Sequence, residues 1–544
     1  MDVLAVGKRR KNDAHTALAA GGINAALSTM DEEDSWQQHA ADTITESYLL
    51  ANPHTVETVT KYAHRGIEDL DRWGMPFARE SDGRISQRYF GAHKYRRTAF
   101  AGDYTGLEIQ RTLVARATQL QIPILDSVYI TRILVSDNVV FGAYGFDLRD
   151  GTRVTIIADA VIIAAGGHNR IWRRTSSRRD ENTGDSFKLA VDAGGRLRDA
   201  ELVQFHPSGI LEPENAAGTL ISEAARGEGG HLLNSLGERF MEKYDPQRME
   251  LSTRDRVALA AYTEIKEGRG TEKGGVLLDI SHLPRETIMT RLPRVYQTML
   301  ELQVLDVTTT PIEIAPTAHY SMGGVWVNSD DHSTDVQGLY AIGEASSGLH
   351  GANRLGGNSL IELLVYGRIV GEAAANYSEG IVTQHRSRDA IEAADNEVTE
   401  VLVSDGVENV RALQRDLRNT MTDYGGVVRD EAGLLEGLRQ LDELDDRQTR
   451  IGVHPDLAGF SGLAHAFDLR ASLMAARATL DCALERRESR GAHNRSDYPD
   501  TDPALQVNLV WSADGSIEHE PIPRVPGEIA ALMENVSQEG KLLE

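Results

Sequence analysis

Short unbroken apolar runs closed by glycine alternate along this chain with longer runs in which apolar residues recur every three or four positions. Gly338-Leu339-Tyr340-Ala341-Ile342 and the run from Ala160 to Gly167 are of the first kind, and each predicts a buried strand. Asp2 to Lys8 predicts another short strand, and the periodicity from Asp31 to Trp73 predicts helix, ending at Gly74-Met75-Pro76. From about Glu108 to Ala160 a helix and then alternating strands are expected, with Asp150-Gly151 as a hairpin-type turn. Thr183-Gly184-Asp185-Ser186 opens a further helix. Between His206 and His319 the pattern changes to charged helices with short strands. From about residue 375 to Asp500 it is helical, with oppositely charged residues four apart at Arg439–Glu443, Glu443–Arg447 and Asp446–Arg450. A bundle of three helices is expected there, followed by a polar tail with short strand-like pieces.

One stretch concentrates chemistry. The strand at 338–342 ends at Gly343-Glu344, a glycine-rich segment runs from Gly348 to Leu360, and Ile361 to Arg368 reads as a helix. A strand, a glycine-rich turn and a helix N-terminus let backbone N–H groups face an electron-rich ligand, because no Cβ blocks the approach. Arg354 sits amid these glycines, a cation whose planar fork suits a carboxylate. On the residues alone two accounts fit: an anion site, or a loop whose arginine pairs with a neighbouring acid.

Bulk properties narrow the class. At 544 residues the chain exceeds one core and implies two to four domains. Hydrophobic residues make up 41% and charged residues 26%, as in ordinary globular proteins. No apolar run of about 18 residues exists to span a bilayer, and no signal peptide is visible, so a cytoplasmic location is expected. The single Cys482 excludes internal disulfides, and it excludes a cysteine-ligated iron–sulfur cluster or a c-type haem housed in this chain alone. No metal ligand set is assigned. A net charge of −25 argues against nucleic-acid binding. The acidity fits either a high-salt cytoplasm or a GC-rich genome.

Further motifs, taken in order, carry a resemblance. They are Gln204-Phe205-His206-Pro207-Ser208-Gly209, the run from Ser222 to Gly230, Pro316 to Val325 with His319, and the glycine-rich segment around Arg354. From about residue 3 to its end the chain resembles the flavoprotein subunit of succinate dehydrogenase and fumarate reductase. The resemblance implies an α/β Rossmann-like FAD-binding domain (1–205 and 317–375), an inserted α+β capping domain (206–316), a C-terminal helical bundle domain (376–500) and a tail (501–544). It implies succinate–fumarate interconversion, with Arg254 as proton shuttle, Glu223 and Arg226 as its relay, and His206, Ser222, His319 and Arg354 holding the dicarboxylate. An arginine is an unusual acid, since a guanidinium ordinarily titrates above pH 12. Without this context Arg254-Asp255 would read as a salt bridge at a helix end.

For the cofactor the resemblance implies His15, Thr16, Gly21, Gly22, Gly166, Asp185, Glu344, Ser359 and Leu360, with FAD attached covalently at His15. Gly83 to Ala92 resembles the segment near the substrate entrance, with Ala92 where a second glycine is usual. The first strand of the FAD domain and its Gly-x-Gly-x-x-Gly turn, which would hold the pyrophosphate, are not found before Val3, as expected of a late start codon or a truncated gene. Partners implied are an iron–sulfur subunit that leads on to a membrane anchor and quinone, which would place the protein on the inner face of the cell membrane. Two other readings stand beside this one. L-aspartate oxidases share the fold, although His15, Gly356-Gly357 and the tail after Asp497 weigh against them; a truncated, flavin-free pseudoenzyme subunit is the other.

Overall fold

The computed structural model of the chain describes residues 2–455 and 459–533. Two parallel strand pairs form its N-terminal centre. Strand β1 (Ala5–Gly7) pairs with β2 (Ile124–Asp126), and β3 (Val161–Ile163) pairs with the strand Leu339–Ala341. Among the described residues no strand joins the two pairs, and both line one cavity of about 3210 Å³. A parallel strand is buried on both faces only when neighbours and helices surround it. The expected burial of Ala160–Gly167 is therefore corrected: Ile162 is 39% exposed, and Val3 and Leu4 of the facing segment are 50% and 40% exposed.

The helical stretch expected from Asp31 to Trp73 is two helices, α1 (Trp36–Glu46) and α2 (Pro53–Arg72). Tyr48 and Leu49 adopt φ values of 53° and 64°, a left-handed conformation that no helix continues through. The side chain of Asn52 then accepts from the N–H groups of His54 and Thr55, and Pro53 stands at the first helical position, so the sequence restarts the helix there.

Strands β4 (Val203–Ile210) and β5 (Ile312–Ser321) run antiparallel at the root of the capping region, continued by Val276–Asp279 and His231–Leu233. Register shifts fall between Gln204 and Phe205 and between His206 and Gly209. Such bulges re-aim side chains, here at the two residues that matter for the site. Helix α3 (Arg254–Glu264) packs on β4, and α4 (Asn358–Gly380) begins at Gly357, whose φ of 88° lies in the left-handed region.

Among the described residues the C-terminal region has four helices, α5 (Arg388–Leu402), α6 (Val410–Tyr424), α7 (Glu431–Gln448) and α8 (Ser461–Glu485), one more than the three expected in the bundle. Helices α6 to α8 pack together, while α5 lies on the strands Val128–Ser136 and Val139–Asp147. One apolar cluster joins α6–α8 to Tyr129, Phe141 and Phe146. Of the expected four-apart pairs only Arg439–Glu443 forms. Arg447 reaches Glu408 and Asp416 instead, and Arg450 lies 3.9 Å from Glu408, because tertiary neighbours offer better-placed carboxylates. The segment after α8 is a buried ionic lock. Arg486 pairs with Glu201 at 2.6 Å, Asp199 at 3.2 Å and Glu488 at 3.4 Å, tying the helical region to the N-terminal one. The tail forms a hairpin of Val507–Trp511 with Ile517–Pro521.

Candidate active site

Two guanidiniums and two imidazoles meet on one wall of the large cavity. Arg354 reaches it from the turn before α4, Arg254 from the first residue of α3, His206 from the bulge in β4 and His319 from β5. Between the arginines stands Gln204, fully buried. Its carbonyl oxygen accepts from Arg254 NH1 at 3.2 Å and from Arg354 Nε and NH2 at 3.3 and 3.2 Å. Its amide nitrogen donates to Asn353 Oδ1 at 2.9 Å and to the Arg354 carbonyl at 3.0 Å. The Arg354 guanidinium also lies 4.1 Å from the centre of the Tyr320 ring and donates to Ser359 Oγ at 2.6 Å. Burial and the neighbouring Arg254 cation bring Arg354 down to about 10, still charged at neutral pH.

Both histidines are neutral. Burial, reinforced by the arginine cations, drives His206 and His319 well below the usual imidazole range. Arg354 NH2 lies 3.1 Å from His319 Nε2 and, being a donor, fixes the proton on Nδ1, which faces Ser176 Oγ at 2.9 Å. His206 Nδ1 accepts from the Ser208 N–H at 3.2 Å, so its Nε2–H is free to donate into the cavity. His319 thus orients Arg354, whereas His206 is a free donor.

Arg254 does not pair with Asp255, contrary to the simple reading of that dipeptide. Its Nε donates to Glu223 Oε2 at 2.9 Å, while Asp255 accepts from Tyr48 at 2.6 Å and Asn353 at 2.9 Å. Glu223 Oε1 lies 3.5 Å from Arg226, which is buried. Burial opposes the charged carboxylate, but Arg254 and Arg226 outweigh it and hold Glu223 down to about 2. Arg254, Glu223 and Arg226 form a continuous chain, and Ser222 also lines the cavity.

Comparison with known proteins places the chain in a family. An FAD binding domain family matches residues 1–360, and a fumarate reductase flavoprotein C-terminal family matches residues 414–525. A fumarate reductase (CoM/CoB) chain of Methanothermobacter marburgensis is 41% identical, over 91% of this chain and 89% of its own length. The succinate dehydrogenase flavoprotein subunit of Rickettsia conorii is 37% identical, over 90% and 84%. The chain belongs to the succinate dehydrogenase and fumarate reductase flavoprotein family. Among solved structures of that family, Mycobacterium smegmatis Sdh1 superposes with a TM-score of 0.89 at 36% identity, covering 99% of this chain and 93% of that one. A quinol–fumarate reductase with menaquinol molecules gives 0.89 at 32% identity, covering 96% and 94%.

The residues present fit FAD, the cofactor of this family. The first-turn N–H groups of α4, at Ser359 and Leu360, lack intrahelical acceptors and face the cavity. His15, Thr16, Gly21, Gly22, Gly166, Asp185 and Glu344 line the same cavity. His15 Nδ1 lies 3.2 Å from Glu181 Oε2, a contact that in the neutral imidazole puts the proton on Nδ1 and leaves Nε2 without one. Glu344 is tethered by Asn169 Nδ2 at 2.6 Å and the Ser321 N–H at 3.1 Å, and burial raises its carboxyl. Asp185 meets Lys8 at 2.6 Å. Gln204 and Tyr320 were missed as site residues: each stands inside a motif already singled out, but an uncharged amide and a ring carry no signal of their own.

Proposed function

We propose that this chain is the catalytic flavoprotein subunit of a succinate dehydrogenase or fumarate reductase, interconverting succinate and fumarate. The observation that carries the reading is the pair of guanidiniums held apart by Gln204 beside the free Nε2–H of His206, on the cavity wall next to the N-terminus of α4. A C4 dicarboxylate needs a cation and donors for its two ends and a proton carrier at its middle. Arg354, oriented by His319 and Tyr320, binds one carboxylate, while His206 and the Ser222 hydroxyl donate to the other. Arg254 exchanges the proton with the substrate carbon, and Glu223 and then Arg226 connect it onward. In fumarate reduction the guanidinium gives a proton to the carbon and Glu223, hydrogen-bonded to its Nε, lies in line to replace it; in succinate oxidation it takes the proton from the carbon as its Nε–H passes one on to Glu223. FAD, when bound, supplies the hydride acceptor in one direction and the donor in the other.

His15 carries the flavin covalently through Nε2, the nitrogen left without a proton by Glu181. The electrons leave through a separate iron–sulfur subunit, since one buried cysteine cannot ligate a cluster, and quinone and a membrane anchor lie beyond it. Among the described residues no helix is long and apolar enough to cross a membrane, so attachment to the inner face runs through those partners.

Replacing Arg254 by Lys keeps charge but loses the fork, and turnover with artificial dyes is expected to fall by about 10²–10⁴ with flavin content unchanged. Turnover within a few-fold of the unmodified protein would remove Arg254 from the proton path. In the same series His15→Ser is expected to release all FAD on acid denaturation, whereas the unmodified protein keeps its yellow colour. Colour washing out of the unmodified protein would end the covalent assignment.

A further inference from the structure

We propose that Glu46 exchanges protons with Glu223 through a water held in a small cavity on the far side of Arg254, and so gives the proton relay a second outlet to solvent; this rests on the reading above, in which Arg254 moves a proton. Helix α1 ends at Glu46 because Tyr48 and Leu49 turn left-handed just beyond it. The Glu46 side chain accepts from Asn353 Nδ2 at 2.5 Å, and the same nitrogen donates to Asp255 at 2.9 Å, which holds Glu46 against the start of α3. The charges it faces are Asp255 and Arg254 of α3, Glu223 from the loop before it, and Arg248. Glu46 is half-buried and Arg248 is exposed, so this end of the group lies near the surface.

Arg254 and Glu223 line the large cavity on one side and, on the other, this small one, where Glu46 and Thr253 join them. It has about 10 Å³ of room for the centre of a water molecule. A polar cavity of about that size holds one water when roughly two to four hydrogen-bond partners surround it. Those partners are present. A threonine at a helix N-cap ordinarily accepts from an N–H of the first turn. Thr253, the N-cap of α3, makes no such bond, and among the described residues its buried Oγ1 has no partner. Gly91 leaves room on the opposite wall: a Cβ there would stand 2.8 Å from Glu223 Oε1, so glycine keeps that oxygen uncovered. The two carboxyls and the Thr253 hydroxyl together suit a single bridging water.

The protonation states favour this direction. Burial and the charge of Asp255 raise the Glu46 carboxyl well above the ordinary range, whereas Arg254 and Arg226, against the cost of burial, hold Glu223 down to about 2. Glu46 therefore holds the proton at rest while Glu223 stays charged. When Arg254 gives a proton to the fumarate carbon, it loses the charge that kept Glu223 low. A proton then moves from Glu46 to the water, from the water to Glu223 and from Glu223 to Arg254, and Glu46 takes one from solvent. One proton enters for each one delivered, and succinate oxidation runs every transfer in reverse. Arg226, the relay's other arm, is buried and donates to the Glu250 carbonyl at 2.5 Å. A guanidinium ordinarily titrates above pH 12, so the carboxyl arm gives up its proton more readily.

The test uses FAD-loaded full-length protein and Glu46→Gln, which keeps an acceptor for Asn353 but has no acidic proton to give. In fumarate reduction by a reduced viologen, kcat of the variant is expected to fall by at least about tenfold, with KM within about threefold and flavin content unchanged. In the unmodified protein kcat should decline as pH rises through the folded value of Glu46, since only the protonated carboxyl can donate, and that limb should be missing from the variant. A purely structural Glu46 would leave the pH profile in place. A crystal structure of the unmodified protein should show one water within hydrogen-bonding distance of Thr253 Oγ1 and of both carboxyls. A dry cavity overturns the proposal, and so does a variant with kcat within threefold and an unchanged pH profile. No succinate–fumarate turnover by the unmodified protein would refute the catalytic reading and this proposal with it, an outcome distinct from a variant that matches an active parent.

Discussion

Gln204 offers the sharpest test of the site, because one amide oxygen is shared by both cations. In Gln204→Leu three hydrogen bonds to guanidinium groups disappear at once, at 3.2, 3.2 and 3.3 Å. A hydrogen bond to a charged group contributes about 1.5–3 kcal/mol. If one such bond to each arginine is what positions it against the transition state, the loss is about 3–6 kcal/mol, or roughly 10²–10⁴ in turnover. Gln204→Glu separates positioning from charge. It keeps an acceptor between the arginines but adds a negative charge beside a dicarboxylate, and like charges so placed cost several kcal/mol. Its KM is therefore expected to rise by tenfold or more, with kcat falling less than in the leucine variant. The assay is succinate-dependent dye reduction and, in reverse, fumarate-dependent oxidation of a reduced viologen, with flavin content measured in each variant. A leucine variant within threefold of normal kcat would refute the idea that Gln204 sets the two guanidiniums.

Two further predictions concern stability and cofactor retention. Burial, then the charge of Asp255, raises the Glu46 carboxyl well above the ordinary range, and Asn353 Nδ2 donates to it at 2.5 Å. The folded state therefore holds this proton more tightly than the unfolded chain, so stability declines as pH rises from about 4.3 through the folded value, by at most about 1.4 kcal/mol per pH unit. Glu46→Gln should melt higher than the unmodified protein at pH 8 and converge with it near pH 4; a constant difference across that range would refute the assignment. Gly357→Ala would place a Cβ 2.2 Å from Asn24 Oδ1 at a φ of 88°, straining the turn by about 1–3 kcal/mol. The ratio of flavin to protein should drop severalfold with the overall fold retained by circular dichroism, and full flavin content would show that the N-terminus of α4 does not hold the cofactor.

The local pattern of the chain was enough to place the strands at Ala5–Gly7, Val161–Ile163 and Leu339–Ala341, the helix start at Asp185, the turn at Asp150-Gly151 and the glycine-rich approach to Arg354. Each depends on neighbours within a few residues: apolar runs, caps and positions that need glycine. Charged and imidazole side chains also announced themselves, so Arg254, Glu223, His206, His319 and Arg354 could all be nominated before their meeting place was known. What folding alone decided are the relations across long separations. Asp255 turns from Arg254 to Tyr48 and Asn353 because these lie closer in space, and Arg447 prefers Glu408 to its helical neighbour for the same reason. The break at Tyr48 and Leu49 has no glycine or proline at its own positions, although Asn52 and Pro53 just beyond it announce the new helix start in the sequence. Gln204 gains its importance only when bulged β4 brings it between two cations that are 100 residues apart in sequence. Hydrophobic period and turn chemistry are short-range properties of a sequence, whereas ion pairing and shared hydrogen bonds depend on distances that exist only once the chain has packed.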